Sequence, residues 1–259
     1  MLEDKRITKK SDLTNLSKIK STFLVNSSQE IKLINFLKEL TTHNKHTNLV
    51  GKSTLVNPWR SHILDCIQIS PFIKSKNSTI LDMGTGPGLP GLVLAIIGYK
   101  NVNLVDSNQK KINFVKHISK KLDIGVKIFL NRIEKLNNSK FDFLISRALA
   151  NLNKLFIYSD KFTDKDTVLI FLKGRKVKNE IQEAKKIWRG VDRVRFFIGS
   201  GDQLDSLPIS LHDVVFSANA FMYFPNVRKA LKSLIGVTRK ALFIRSYFCE
   251  QTYIIQRAQ

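Results

Sequence analysis

The chain has 259 residues, 43% of them hydrophobic, which is enough for one large domain with an appendage. Lys and Arg number 43 against 21 Asp and Glu, a formal net charge of +22, so polyanions, nucleic acid first among them, are the expected partners. No apolar run approaches about 18 residues, no apolar signal core follows the N-terminus, and the two cysteines form no C-x-x-C; a membrane span, a secretory leader and a cysteine-based metal site are not expected, and the expected location is the reducing cytoplasm.

In chain order, residues 1–26 read as a basic flexible arm with a short helix at Asp12–Ile19. Ser27 to Glu30 has capping-box spacing, and Ile31, Ile34, Leu37 and Leu40 then trace one apolar helical face. T-T-H-N-K-H-T-N-L-V-G follows as a polar loop. His43 and His46 could share a helix face, but no third ligand accompanies them, so no metal is expected. Pro58 suits the first turn of a second helix, through Ile63 and Ile67 to Pro71. Residues 27–77 thus form a helical lead-in to residues 78–188.

From Ile80 the chain alternates strand and helix. Strands are expected at Thr79–Met83, Val102–Val105, Val126–Phe129, Phe141–Ser146 and Thr167–Leu172, and helices at Leu89–Ile97, Gln109–Leu122, Leu152–Tyr158 and Val177–Trp188. That alternation predicts an α/β fold with a mostly parallel sheet covered by helices on both faces. Between the first strand and its helix lies D-M-G-T-G-P-G-L-P-G, with Gly84, Gly86 and Gly88 on alternate positions. The dinucleotide fingerprint G-x-G-x-x-G needs glycine at 89, and Leu89 stands there, which disfavours a dehydrogenase. Asp82, at the strand end, suits a ligand with an ammonium or sulfonium, such as S-adenosylmethionine, better than a pyrophosphate. Asp106 ends the second strand where an acid typically takes a ribose hydroxyl pair. Right-handed crossovers bring Gly84, Asp106, Arg132, Glu134 and Arg147 to one crevice at the strand ends. Arg147 can fix a carboxylate or phosphate by a forked bond. Lys173 after the fifth strand, with Lys110 and Lys111, is positioned for RNA phosphate, although Lys173 could equally end its strand in solvent.

Seven segments occur in an order that resembles a known family: N-L-V-G at Asn48–Gly51, H-I-L-D at His62–Asp65, L-D-M-G-T-G-P-G-L-P-G at Leu81–Gly91, V-D-S at Val105–Ser107, R-I-E at Arg132–Glu134, S-R-A-L-A at Ser146–Ala150 and L-K-G at Leu172–Gly174. Over about residues 27–188 they resemble the RsmG (GidB) family, bacterial methyltransferases of guanine N7 in 16S rRNA of the small ribosomal subunit. The resemblance implies the class I, Rossmann-like methyltransferase fold with a seven-stranded-type sheet, and S-adenosylmethionine as cofactor. It also implies a monomer that meets rRNA or a small-subunit particle. By the same resemblance Gly84, Leu89, Ile133, Glu134 and Arg147 match cofactor contacts, with Asp106 on the ribose. Guanine N7 carries a free lone pair and no proton, so the transfer needs positioning and no general base. No catalytic acid or base is therefore expected; Arg147 is the one candidate for a direct role.

Residues 189–259 depart from that family's usual ending and resemble the later half of another class I methyltransferase, with Asp202 in an adenine loop and Val214–Ala218 as a strand. No second glycine loop precedes them, so they are not expected to bind cofactor alone. The favoured reading is that they complete the main sheet with the pair Ala241–Tyr247 and Thr252–Gln256. A fused remnant and an interaction module are the other readings. For the whole chain, the alternatives are a methyltransferase acting on another RNA or a protein, and a basic ribosome-binding protein that has lost turnover.

Overall fold

The computed structural model describes residues 16–17, 19–20, 22–73, 75–164, 166–174, 177–187, 212–217 and 238–244. Five parallel strands form the main sheet: β1 (Thr79–Met83), β2 (Asn101–Asp106), β3 (Lys127–Leu130), β4 (Phe143–Arg147) and β5 (Val168–Leu172), in the order β3-β2-β1-β4-β5. Each strand is reached by a crossover, and the order reverses beside β1, so the crevice opens at the C-terminal ends of β1, β2 and β4. Both faces are covered. Ile80 of β1 joins one buried cluster with Leu92, Val93, Phe114 and Ile118, from α3 (Gly91–Ile96) and α4 (Gln109–Lys121). Leu81 and Met83 join a second cluster with Leu155, Phe156 and Ala184, from α5 (Leu152–Ser159) and α6 (Val177–Ile187). A strand buried on both sides shows no apolar–polar alternation, which is why β1 reads as one apolar run broken only by Asp82.

The lead-in helix α1 (Ser27–Thr47) is longer than expected and is capped one residue earlier. Asn26, not Ser27, accepts from the Gln29 amide, and the Gln29 side chain returns the bond to Asn26. Helix replaces the expected polar loop as far as Thr47. The Thr41 and Thr47 hydroxyls donate to carbonyls one turn back, and Asn44 accepts from the Val50 amide, so polar side chains serve the helix and its exit. Phe36 of α1 meets Phe114 of α4 at 6.3 Å, while Glu39 ion-pairs with Lys121 (2.7 Å) and hydrogen-bonds with His117 Nε2 (3.0 Å). These bonds hold the Glu39 carboxyl below its usual range. His43 comes together with Glu39 and His117, not with His46. Ile19 and Val25 are buried in the main core, so the later part of the expected mobile arm is packed against it. A π-helical segment, Trp59–Leu64, follows Pro58 and runs into the short helix α2 (Asp65–Ile67).

Of the pair Ala241–Tyr247 and Thr252–Gln256 expected to complete the main sheet, only residues 241–244 are described, in a strand that lies close to β5. Among the described residues, β6 (His212–Ser217) and β7 (Thr238–Ile244) pair in parallel with each other as a separate two-stranded sheet, and neither is hydrogen-bonded to β5. Pairing with each other already uses one backbone edge of each strand. Thr252–Gln256, Asp202 and the first part of the expected arm lie outside the described residues. Among the described residues, no helix is long and apolar enough to cross a membrane.

Candidate functional site

The turn after β1 is shaped from beneath by Asp82. The Asp82 side chain is fully buried, and its Oδ2 accepts from the Thr85 hydroxyl (2.6 Å) and from the Gly91 amide that opens α3 (2.8 Å). The loop therefore closes over its own strand end, and α3 starts at Gly91, two residues later than the apolar run suggests. Asp82 Oδ1 is buried with no hydrogen-bond partner. Burial pushes this carboxyl up to about 7, helped by the nearby Asp106 charge, while the Thr85 and Gly91 bonds and the Arg147 charge pull the other way.

Gly84 has φ +69° and Gly86 has φ +57°, a left-handed conformation that side chains resist. The two glycines differ in surroundings. A Cβ on Gly84 would lie 2.5 Å from Leu149 Cδ1, whereas a Cβ on Gly86 would meet nothing within 4 Å. Gly84 is thus roofed by the loop after β4, and Gly86 faces open space. The Gly86 amide donates to Asp106 Oδ2 (2.9 Å), and Asp106 Oδ1 accepts from the Asn108 amide (2.8 Å). Asp106 braces the turn, and each oxygen retains a lone pair for a further donor. Leu89 and Ile133 are buried, while Glu134 is exposed beyond the end of β3. The crevice therefore presents the Asp106 carboxylate beside open space over a glycine, with the buried Asp82 and its unsatisfied Oδ1 beneath the turn. That set of acceptors fits a cationic, hydroxyl-bearing ligand such as S-adenosylmethionine.

Arg147 is tied to the lead-in. Its Nη1 lies 2.9 Å from Asp65 Oδ2 and donates to Cys66 Sγ (3.4 Å), and its Nη2 lies 3.2 Å from His62 Nδ1. A guanidinium only donates, so His62 Nδ1 is the acceptor and the ring proton sits on Nε2. Nε2–H then donates to Thr54 Oγ1 (3.0 Å), whose hydroxyl donates to the Gly51 carbonyl (2.6 Å). This direction requires neutral His62. Burial first, and the Arg147 charge second, push its pKa down to about 3. Burial pushes the Cys66 thiol up to about 12, which keeps it a thiol and no nucleophile. N-L-V-G, H-I-L-D and S-R-A are thus one physical unit, linked from Gly51 through His62 to Arg147. Ser146 adds a bond to the Met83 carbonyl (2.8 Å), which joins β4 to the β1 exit. Ala148, next to Arg147, has φ +55°, a strained conformation for a residue with a Cβ and one that clusters at functional sites.

Lys173 is not displayed to solvent as expected for a phosphate contact. It is buried, donates to the Ala150 carbonyl (2.5 Å) and pairs with Glu180 (2.7 Å), a residue that sequence reasoning did not single out. Glu180 also accepts from the Leu152 amide at the start of α5 (2.8 Å). An acid three residues into an amphipathic helix reads as solvated, and nothing local marks its partner just past β5. Lys110 and Lys111 lie in the first turn of α4, with Lys110 exposed.

The buried Asp82 carries a pH expectation. Its folded pKa, about 7, exceeds its ordinary value of 3.8. The native state therefore binds the extra proton between those values, and its stability falls as pH rises from about 4 to 7. Asp82→Asn keeps an acceptor for Thr85 and Gly91 and removes the charge. In denaturant titrations without ligand it should gain about 4 kcal/mol above pH 7 and little near pH 4. The same variant should bind S-adenosylmethionine more weakly. A gain that does not depend on pH would show that Asp82 does not titrate as described.

The chain is similar in sequence to known proteins. The GidB family model, described as rRNA small subunit methyltransferase G, matches residues 29–210, past the point near residue 188 where the sequence resemblance was expected to stop. The ribosomal RNA small subunit methyltransferase G of Orientia tsutsugamushi (strain Ikeda) is 40% identical over 145 residues, covering 56% of this chain and 72% of that protein. The protein of the same name from Zymomonas mobilis is 30% identical over 171 residues, covering 63% and 77%. Among solved structures, ribosomal protein L11 methylase from Lactobacillus delbrueckii subsp. bulgaricus overlaps with a TM-score of 0.43 at 20% identity, covering 48% of this chain and 65% of that one. With the glycine turn, its two flanking acids and the matched segments in one crevice, the chain belongs to the rRNA small subunit methyltransferase G family.

Proposed function

We propose that this chain transfers a methyl group from S-adenosylmethionine to N7 of a guanine in small-subunit rRNA. The observation that carries the reading is the crevice at the ends of β1, β2 and β4, where open space over Gly86 lies beside Asp106, with the buried Asp82 beneath the turn, in a protein of net charge +22. Locally acidic, it suits a cationic cofactor; globally basic, it suits a polyanionic substrate. Asp82, Gly84, Gly86, Gly88, Leu89, Asp106, Ile133 and Glu134 would hold the cofactor, which supplies an electrophilic methyl on a sulfonium. Arg147 positions the β4 exit from beside the crevice, through Asp65 and His62. No side chain need remove a proton, because N7 has none. The domain reading is part of the proposal: residues 27–188 carry the cofactor and the reaction, and the residues beyond serve as an adjunct in a cytoplasmic monomer.

The test is nucleoside mass spectrometry of small-subunit RNA lacking N7 methylation, incubated with the protein and labelled S-adenosylmethionine. Label in 7-methylguanosine is the expected result. Cofactor binding without label in any nucleoside would overturn the reading.

A further inference from the structure

Beside the glycine turn lies an open surface pocket of about 280 Å³, framed by backbone 148–151 and by Asn151, Lys173 and Glu180. Leu149 also lines it, and the same Leu149 side chain roofs Gly84. The pocket and the crevice therefore share one wall. The polar groups of the pocket are unlike those of a phosphate site. Glu180 brings a carboxylate, which repels a polyanion, and Lys173, which would attract one, is buried and already paired with it. Asn151 uses its side-chain oxygen to accept from the Lys154 amide, which leaves its NH2 as a donor.

We infer that this pocket receives the target base and selects guanine by its Watson–Crick edge, with Glu180 as the discriminating residue. The inference rests on the methyl-transfer reading above. An enzyme that modifies a base takes it out of the stack into a pocket and reads its hydrogen-bonding edge there. Guanine offers two adjacent donors on that edge, N1–H and the N2 amino group, and O6 as an acceptor. Glu180 Oε2 is taken by the Leu152 amide and Lys173, which leaves Oε1 to accept from the two donors, and the Asn151 amide matches O6. Adenine would set its N1 lone pair against the carboxylate and its amino group against the Asn151 donor, so it is rejected on both counts. With the Watson–Crick edge on Glu180, N7 lies on the opposite side of the ring, free to face the shared Leu149 wall and the glycine turn. Lys173 neutralises Glu180 toward the passing backbone and fixes its position, and the bond from the Leu152 amide anchors it to α5.

Inosine tests this directly, because it keeps N7 and O6 and lacks only the N2 amino group. The methylated nucleotide is first mapped with labelled methyl, and the RNA is then rebuilt with inosine at that one position. The unmodified protein should methylate the guanosine RNA about tenfold better in kcat/KM, and bind it correspondingly better. Glu180→Gln keeps its one oxygen for Leu152 and Lys173 and turns an NH2 donor toward the base, which then finds no acceptor for N1–H or the N2 amino group. Its preference should shrink to about twofold, while its dissociation constant for S-adenosylmethionine stays unchanged. Equal rates on both RNAs with the unmodified protein would overturn the proposal without any variant, which covers the case of a variant that fails to fold. A folded Glu180→Gln that is slower but keeps the tenfold preference would also overturn it, leaving Glu180 a structural residue. Absence of methyl on every guanosine would instead overturn the methyl-transfer reading, and this subsite with it.

Discussion

Arg147→Ala should lower the unfolding free energy by about 3 kcal/mol and abolish methyl transfer. The guanidinium lies 2.9 Å from an Asp65 carboxylate oxygen, and the two side chains retain 20% and 7% of their exposure. Removing one partner of such a pair leaves the other charge in a poorly solvated place, which costs more than the pair itself contributes. Asp65→Asn in the same chain should recover part of the loss, and a double-mutant cycle measures the coupling. Arg147→Lys keeps the charge but lacks the fork that reaches Asp65, Cys66 and His62 together, so it should fall between the two. The network also sets an acid limit. His62, held near 3 when folded against an ordinary 6.5, refuses a proton that the unfolded chain accepts. Its contribution to stability is therefore full above about 6.5 and is lost as pH falls toward 3. This slope opposes that of Asp82, so Asp82→Asn should reveal it in urea titrations between pH 4 and 6.5. A flat profile in that variant would contradict a neutral, buried His62.

Gly91→Ala and Gly86→Ala should separate folding from binding. A Cβ on Gly91 would run into the Leu104 side chain and come within 2.8 Å of Asp82 Oδ2 and 3.1 Å of Asp82 Cβ, all of them buried. Neither neighbour can swing into solvent, so the expected loss is about 3 kcal/mol, with the Gly91–Asp82 bond disrupted and cofactor affinity reduced as a consequence. On Gly86 the added methyl meets no protein atom, and only the left-handed backbone angle resists it. The loss of stability should be about 1 kcal/mol. The methyl does enter the space assigned to the cofactor, so S-adenosylmethionine should bind at least tenfold more weakly. Thermal unfolding with and without S-adenosylmethionine reads both effects. A Gly86→Ala protein that binds as tightly as the unmodified one would remove the crevice from the cofactor site.

Much of the framework was legible before any tertiary structure. The five strands and the four helices around them lie within one or two residues of their expected places, because apolar runs of strand length alternate with 3.6-period helices through this region. The errors fall where local signals compete. Thr41, His43 and Thr47 look like loop residues, yet each side chain bonds a carbonyl one turn back, and the helix continues. Leu89 looks like the start of a helix, yet Asp82 draws in the Gly91 amide and delays it.

What the sequence by itself determined was the order of strands and helices, the glycine turn with Asp82 and Asp106 on either side, and the family, because each is written in neighbouring residues or in motifs kept in order. Only the tertiary structure decided which side chains meet. It joined His62 and Asp65 to Arg147, more than 80 residues later, buried Lys173 against Glu180, and set Leu149 over Gly84. Such contacts depend on parallel crossovers that bring remote strand ends together, and on desolvation that decides whether a charge is displayed or paired. Neither leaves a trace in the spacing of residues along the chain.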